Sequence, residues 1–195
     1  MKAAQARLGL RGIFYWRGEA SRGRNQLKET SIYLSPLGPM RMESDGQALT
    51  GLSFMLPLKR TVEEEAERLP IFDETARWLE AYFFSGKEPD FMPLIRIEGS
   101  AFRKAVFQAI SEIPYGQTAS YGAIAGTAAQ RQGKTCCSAQ AVGGAASHNP
   151  LLLLIPCHRV VGENGELKGY AAGLQKKTAL LCLEGSGTPL SKSDI

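Results

Sequence analysis

The stretch that decides the reading of this chain is residues 138–161, SAQAVGGAASHNPLLLLIPCHRVV. Ser138 to Ala146 is built of small residues and reads as a short helix, closed by His148-Asn149-Pro150 because the residue before a proline is pushed away from helical geometry. Leu151 to Ile155 is an apolar run that reads as a buried strand. It ends at Pro156, whose φ is fixed and which has no N–H to give a sheet. Cys157 then stands at the end of that strand with His158 as its neighbour. A free thiol titrates near ~8.5 and only the thiolate attacks, so an adjacent imidazole matters. Two readings remain: Cys157 is one more buried small hydrophobe, as free cysteines commonly are, or a nucleophile facing a pocket. Proline before it and histidine after it favour the second.

The small-residue helix carries two successive glycines, Gly143 and Gly144, each costing about 1 kcal/mol relative to alanine. Either a neighbouring helix packs tightly there, or a DNA strand approaches the backbone closely. As a reader of base edges the helix is poorly equipped; only Gln140 has the reach. Upstream, Phe102, Val106, Phe107 and Ile110 recur at helical spacing, and Ile113-Pro114-Tyr115-Gly116 closes that helix. Thr118 or Ser120 caps the next one, through Tyr121, Ile124 and Ala125, before a loop at Gln130–Lys134. Two short helices about a tight connection outline a helix-turn-helix. Downstream, Val160 to Leu167 reads as a hairpin turning at Asn164-Gly165. Leu174 to Glu184 reads as a final amphipathic helix with Gly185 just past its end.

The other half is organised differently. Residues 1–30, with seven basic and two acidic side chains, read as a basic arm. From 31 the pattern is a meander: Ile32-Tyr33-Leu34, a turn at Pro36 to Pro39, Met40 to Glu43, a turn at Asp45-Gly46, then Leu49 to Met55. Ile71 to Phe84 carries a helical apolar stripe with Asp73 and Glu74 in its first turns and Gly86 to end it. Pro89 to Pro93 reads as a linker. The expected division is an arm at 1–30, a domain at 31–92 and a second at 99–195.

At 195 residues and 44% hydrophobic content a sizeable core is available. The longest apolar run, Leu151 to Ile155, is far short of a membrane span, and no signal-peptide pattern is present. An intracellular, reducing setting with free thiols is expected. The four cysteines have no zinc spacing, and residues 1–98 contain neither cysteine nor histidine; no metal and no cofactor are expected. Residues 99–195 carry nine basic and five acidic groups, so the half with Cys157 is basic, a weak pointer to a polyanionic partner.

Tyr121, Ser138 to Ala146, Asn149-Pro150, Ile155 to Val161, Gly169-Tyr170-Ala171-Ala172-Gly173 and Glu184-Gly185 stand in an order and spacing that resembles the O6-alkylguanine-DNA alkyltransferases, over essentially all of residues 99–195. The resemblance implies an α+β fold: a small N-terminal α/β domain with an antiparallel sheet, then a C-terminal helix-turn-helix, winged-helix-like alkyltransferase domain. It implies repair of O6-alkylguanine, with O4-alkylthymine as a second substrate, by irreversible single-turnover transfer of the alkyl group to Cys157 from a flipped base. By the same resemblance His158 is the base acting through a water, and Glu184 its orienter. Tyr121 donates toward the guanine ring. Asn149 ties the recognition helix to the active-site segment. Val160, Tyr170 and Ala171 contact the substrate base, while Gln140, Ala141, Gly143 and Arg159 meet DNA. The implied partner is double-stranded DNA, held through the minor groove with weak sequence preference. A monomer is expected, cytoplasmic and on the nucleoid when DNA-bound, without membrane contact.

Two departures from the family's pattern stand out. Gln140 occupies the place of an arginine that fills the gap left by the flipped base, and it lacks that residue's charge and stacking plane. Ala171 stands where some members carry a hydroxyl. Two other functions fit the sequence less well. An alkyltransferase-like binding protein lacks the nucleophile, and Cys157 is present. In a cysteine hydrolase the histidine lies far from the cysteine in sequence.

Overall fold

The computed structural model describes residues 29–55 and 69–186; the basic arm predicted at 1–30 falls almost wholly outside them. The chain opens with the expected meander. β1 (Glu29–Ser35), β2 (Gly38–Ser44) and β3 (Leu49–Phe54) form an antiparallel sheet in sequence order. Its register runs from Glu29 opposite Ser44 to Ser35 opposite Gly38, with an irregularity at Glu43/Ser44. The turn after β2 is built by its side chains: Asp45 Oδ1 accepts from the N–H of Gln47 (3.0 Å) and Ala48 (2.9 Å). Gly46 takes φ +89°, which costs glycine little. Alternation along β2 sends Met40 and Met42 to the buried face.

α1 (Pro70–Phe84) starts with proline at its first position, where a missing N–H costs nothing. Its buried stripe holds Ile71, Phe72, Trp78, Leu79, Tyr82 and Phe83. Burying side chains of this kind contributes roughly 1.5–3 kcal/mol each. The segment beyond α1 is irregular, and Ile95 bridges in parallel to Leu49 on β3.

The C-terminal unit stacks three helices: α2 (Ala101–Ser111), α3 (Tyr121–Arg131) and α4 (Ala139–Ser147), with α3 packed on α2 and α4. Ser100 and Ser120 cap α2 and α3, accepting from the N–H of Arg103 (3.3 Å) and Ala123 (3.2 Å). Such caps contribute about 1 kcal/mol each, and the choice left open between Thr118 and Ser120 falls to Ser120. β4 (Ala119–Ser120) pairs in parallel with β5 (Val160–Val161), and α5 (Leu174–Ser186) closes the fold against the Cys157–Arg159 turn.

Three expectations are corrected. Leu151 to Ile155 is not a strand: Leu151 bridges only to Leu52, Leu152 bridges to Ile155, and Leu153 sits at φ +71°. Five apolar residues in a row report burial, and burial alone does not distinguish a strand from a packed loop. The hairpin at 160–167 is only a turn, held by Gly162 N–H to Glu166 O (2.8 Å); β5 pairs instead with β4. The last helix runs on through Gly185.

The two units meet where it matters. β3 hands its free edge to the active-site segment: Leu52 N–H donates to Pro150 O (2.7 Å), and Leu152 N–H to Leu52 O (2.9 Å). The loop that carries Cys157 is therefore anchored to the N-terminal sheet.

Candidate active site

Cys157 opens a single 3-10 turn, Cys157–Arg159, at the end of the Leu151–Pro156 loop. Asn149 sets its position. The Asn149 Nδ2 amide donates to Ile155 O (2.8 Å) and to Cys157 Sγ (3.1 Å), while Oδ1 accepts from Leu151 N–H (3.0 Å). One buried side chain thus fixes both the loop and the sulfur. Cys157 is 4% exposed, and burial pushes its thiol up to about 11, against the opposing pull of the Asn149 amide and the Lys177 charge. At neutral pH the resting sulfur is a thiol, so reaction needs a base.

His158 is fully buried beside it. Its Nε2 lies 2.8 Å from Glu184 Oε1, and its Nδ1 is buried with no hydrogen-bond partner among the described residues. Burial disfavours the Glu184 carboxylate, yet bonds from His158 and Arg159 hold its pKa down at about 2. An ionised acceptor at Nε2 places the proton on that nitrogen and leaves Nδ1 as the acceptor. Burial lowers the pKa of His158 despite the attraction of Glu184, so the imidazole is poised neutral.

Glu184 is the hub. Arg159 grips it bidentately, Nε to Oε2 and Nη2 to Oε1, both at 2.8 Å. Tyr82 Oη donates to Oε1 (2.7 Å) and Gly116 N–H to Oε2 (3.3 Å). On the other flank Lys177 donates to Val160 O (2.6 Å) and Lys168 O (2.8 Å).

A cavity of about 560 Å³ opens over the sulfur, within the size range of small-molecule sites. Cys157, Tyr121, Tyr170, Gln140 and Gly143 are among the residues lining it, with Glu163 and Lys168 also in the wall. Tyr121 Oη donates to Lys168 O (3.1 Å), drawing α3 to the loop before α5. A Cβ added at Gly143 would lie 3.8 Å from Tyr121 Cε1, an ordinary contact, and one at Gly144 would meet nothing within 4 Å. No neighbouring backbone among the described residues accounts for the glycine pair.

Comparison with known proteins identifies the family. Residues 30–95 match the family model described as 6-O-methylguanine DNA methyltransferase, ribonuclease-like domain, and residues 101–186 that of its DNA binding domain. A methylated-DNA–protein-cysteine methyltransferase of Methanosarcina acetivorans is 40% identical over 158 residues, covering 80% of this chain and 97% of that protein. The chain belongs to the 6-O-methylguanine DNA methyltransferase family. A crystal structure of Mycobacterium tuberculosis OGT in complex with DNA superposes at a TM-score of 0.67 with 37% identity, covering 81% of this chain and 93% of that one. The Mycobacterium leprae methyltransferase of the same name is 40% identical over 154 residues, covering 77% of this chain and 88% of that protein. The α+β fold and the family resemblance both stand.

Of the residues expected at a methyltransferase site, the fold bonds Asn149 to Cys157 and Glu184 to His158, two pairs that meet only through the Cys157-His158 peptide, and places Tyr121, Tyr170, Gln140 and Gly143 on the cavity wall. Four others fall elsewhere. Arg159, expected on DNA, is 2% exposed, with its guanidinium spent on Glu184, Ile113 O (2.8 Å) and Glu88 (3.1 Å); a buried guanidinium so engaged has no reach to phosphate. Val160 is fully buried in β5 and is not a cavity-lining residue; the Lys177 ammonium occupies its carbonyl. Ala171 is exposed outside the cavity wall; Ala141, expected on DNA, lies off that wall too but is exposed on α4, where a DNA contact has room. Sequence reasoning missed Lys177 and Tyr82. Lys177 had a signal: with Leu180 and Glu184 it falls at i, i+3 and i+7 on one face of α5. Tyr82 had none beyond a place on an apolar stripe. Among the described residues no cluster of three or more His, Cys, Asp or Glu side chains could hold a metal, and no helix is long and apolar enough to cross a membrane.

Proposed function

We propose that Cys157 is the acceptor of the transferred alkyl group, with His158 as its base and Glu184 as the orienter of His158. The activity follows from the family: DNA repair by transfer of an alkyl group to a cysteine. The observations that support the residue assignment are a sulfur held by Asn149 on the cavity wall and, at the next residue, a buried imidazole with one unpartnered nitrogen and the other on an ionised carboxylate.

The chemistry balances. His158 Nδ1 takes the Cys157 proton through a bridging water, and Glu184 stabilises the imidazolium that results. The thiolate attacks the alkyl carbon, the carbon–O6 bond breaks, and its electron pair leaves on guanine. Tyr121, released from Lys168 O, donates to the ring and eases that departure. The thioether formed has no good leaving group, so each chain acts once. The cavity above Sγ takes the base rotated out of the stack. Gln140, exposed on α4 at the cavity rim, fills the gap left behind. Open space at Gly144 supports close approach of double-stranded DNA along its minor groove, with little reading of sequence. The protein acts as a cytoplasmic monomer and is nucleoid-associated when bound.

The test is incubation with a duplex carrying O6-methylguanine, followed by mass spectrometry of the peptide spanning Cys157. One methyl per chain on that residue is expected, lost in Cys157→Ser. Methyl on Cys136, Cys137 or Cys182, or tight binding without modification, refutes the assignment.

A further inference from the structure

Glu184's partners lead out of the C-terminal unit and into α1. Tyr82, fully buried, donates to Glu184 Oε1 at 2.7 Å, and its oxygen also lies 3.4 Å from His158 Nε2. With the 2.8 Å contact between Nε2 and Oε1, the three atoms close a triangle. The ring is fixed on its other sides: Trp78 stacks on it at 5.3 Å between centroids, and Phe83 and Tyr115 meet it edge-on at 5.2 and 6.1 Å.

We propose that Tyr82 is a positioning residue for alkyl transfer, lent to the C-terminal site by the N-terminal unit, whose hydroxyl locks Glu184 and His158 in the geometry that keeps Nε2 protonated and Nδ1 free. The proposal rests on the roles given above to Cys157 and His158. Its physical basis is the count of donors on one carboxylate oxygen. Oε1 receives His158, an Arg159 nitrogen and Tyr82. A phenol spreads the carboxylate charge without placing another cation beside the imidazolium that forms. Burial and the Glu184 charge keep that phenol protonated at any working pH, so it is a permanent donor.

Other charges around His158 set the balance that Tyr82 trims. Glu184 on α5 favours the charged ring, while Lys177 on α5 and Arg159 on the same turn oppose it. Tyr170 meets the ring edge-on at 6.3 Å, and Tyr115 lies near Glu184 and Arg159. Removing the Tyr82 hydroxyl takes one donor from Oε1, concentrates its negative charge on the Nε2 proton and loosens the ring. His158 becomes more basic and holds its proton at a pH where it should be accepting one.

The chain has only two histidines, and His148 is exposed, so ¹⁵N-histidine NMR reads His158 against an internal reference. In Tyr82→Phe we expect the His158 titration to rise by about one pH unit and methyl transfer on the acid limb, below that titration, to slow about tenfold, the scale of one lost hydrogen bond to a charged group. The acid limb of the rate profile should move with it, while DNA affinity stays as in the parent. Should the phenylalanine variant not fold, 3,5-difluorotyrosine at position 82, a stronger donor, moves the His158 titration downward. An unshifted His158 in the variant that folds, or a slower rate without any shift, overturns the proposal. Failure of the parent protein to methylate Cys157 instead overturns the assignment on which it rests, and the His158 titration still decides what Tyr82 does to the imidazole.

Discussion

Replacing Arg159 separates a buried strut from a DNA contact. Its guanidinium makes two parallel bonds to Glu184 at 2.8 Å, a third to Ile113 O at 2.8 Å, and a fourth to Glu88 at 3.1 Å. Both side chains of the Glu184 pair are nearly sealed, at 2% and 1% exposure. Arg159→Ala therefore leaves a buried carboxylate short of its cation and a buried carbonyl short of a donor, a loss of about 3–5 kcal/mol. In a chain of this size that lowers Tm by roughly 6–20 °C. Arg159→Lys keeps the charge but not the fork and should lose about 2 kcal/mol. Stability is read by urea titration and DNA binding by fluorescence anisotropy across a salt series. For the alanine variant we expect an unchanged slope of affinity against salt, because no phosphate contact is removed. For any variant that removes a phosphate contact, that slope shallows by ~0.9. A stability equal to the parent's in Arg159→Ala, together with a shallower slope, would refute the buried-strut account.

Stability should also fall in acid. His158 has a lowered pKa in the fold and Glu184 one of about 2, against ordinary values of 6.5 and 4.5. In both cases the unfolded chain binds the proton more readily, so stability is present above the ordinary value and drains away as pH falls. The urea midpoint should decline below pH 6.5 and more steeply from 4.5 towards 2, with Glu184→Gln flattening the lower limb; a midpoint that rises in that range contradicts the site. Asn149→Ala removes the amide that lowers the Cys157 pKa. Iodoacetamide labelling of Cys157, followed by peptide mass, should slow about threefold to tenfold at pH 8, and an unchanged rate would remove Asn149 from the control of the sulfur.

Local rules explain why so much could be read early. The meander was legible because its turns carry their own chemistry at Asp45 and Gly46 and its strands alternate. α1 and α2 were legible from apolar spacing, and α3 from a capping residue at Thr118 or Ser120. The loop from Leu151 to Ile155 was not. Its conformation depends on Leu52 of β3 and on Asn149, neither of which lies within the run. The resemblance put Arg159 on DNA; what it does not carry is the partner, Glu184, which lies 25 residues away in sequence and takes two of its guanidinium bonds.

Sequence by itself determined the cysteine, its neighbouring histidine, the helices behind them and the family they belong to, because those features reside in short windows of residues. Tertiary structure supplied the 2.8 Å contact between His158 and Glu184, 26 residues apart, that the resemblance implied, and it alone decided that Tyr82, 76 residues before His158, closes the same cluster. Hydrogen bonds act over ångströms in space, while sequence orders residues only along the chain; partners drawn from separate helices become visible when the core has packed.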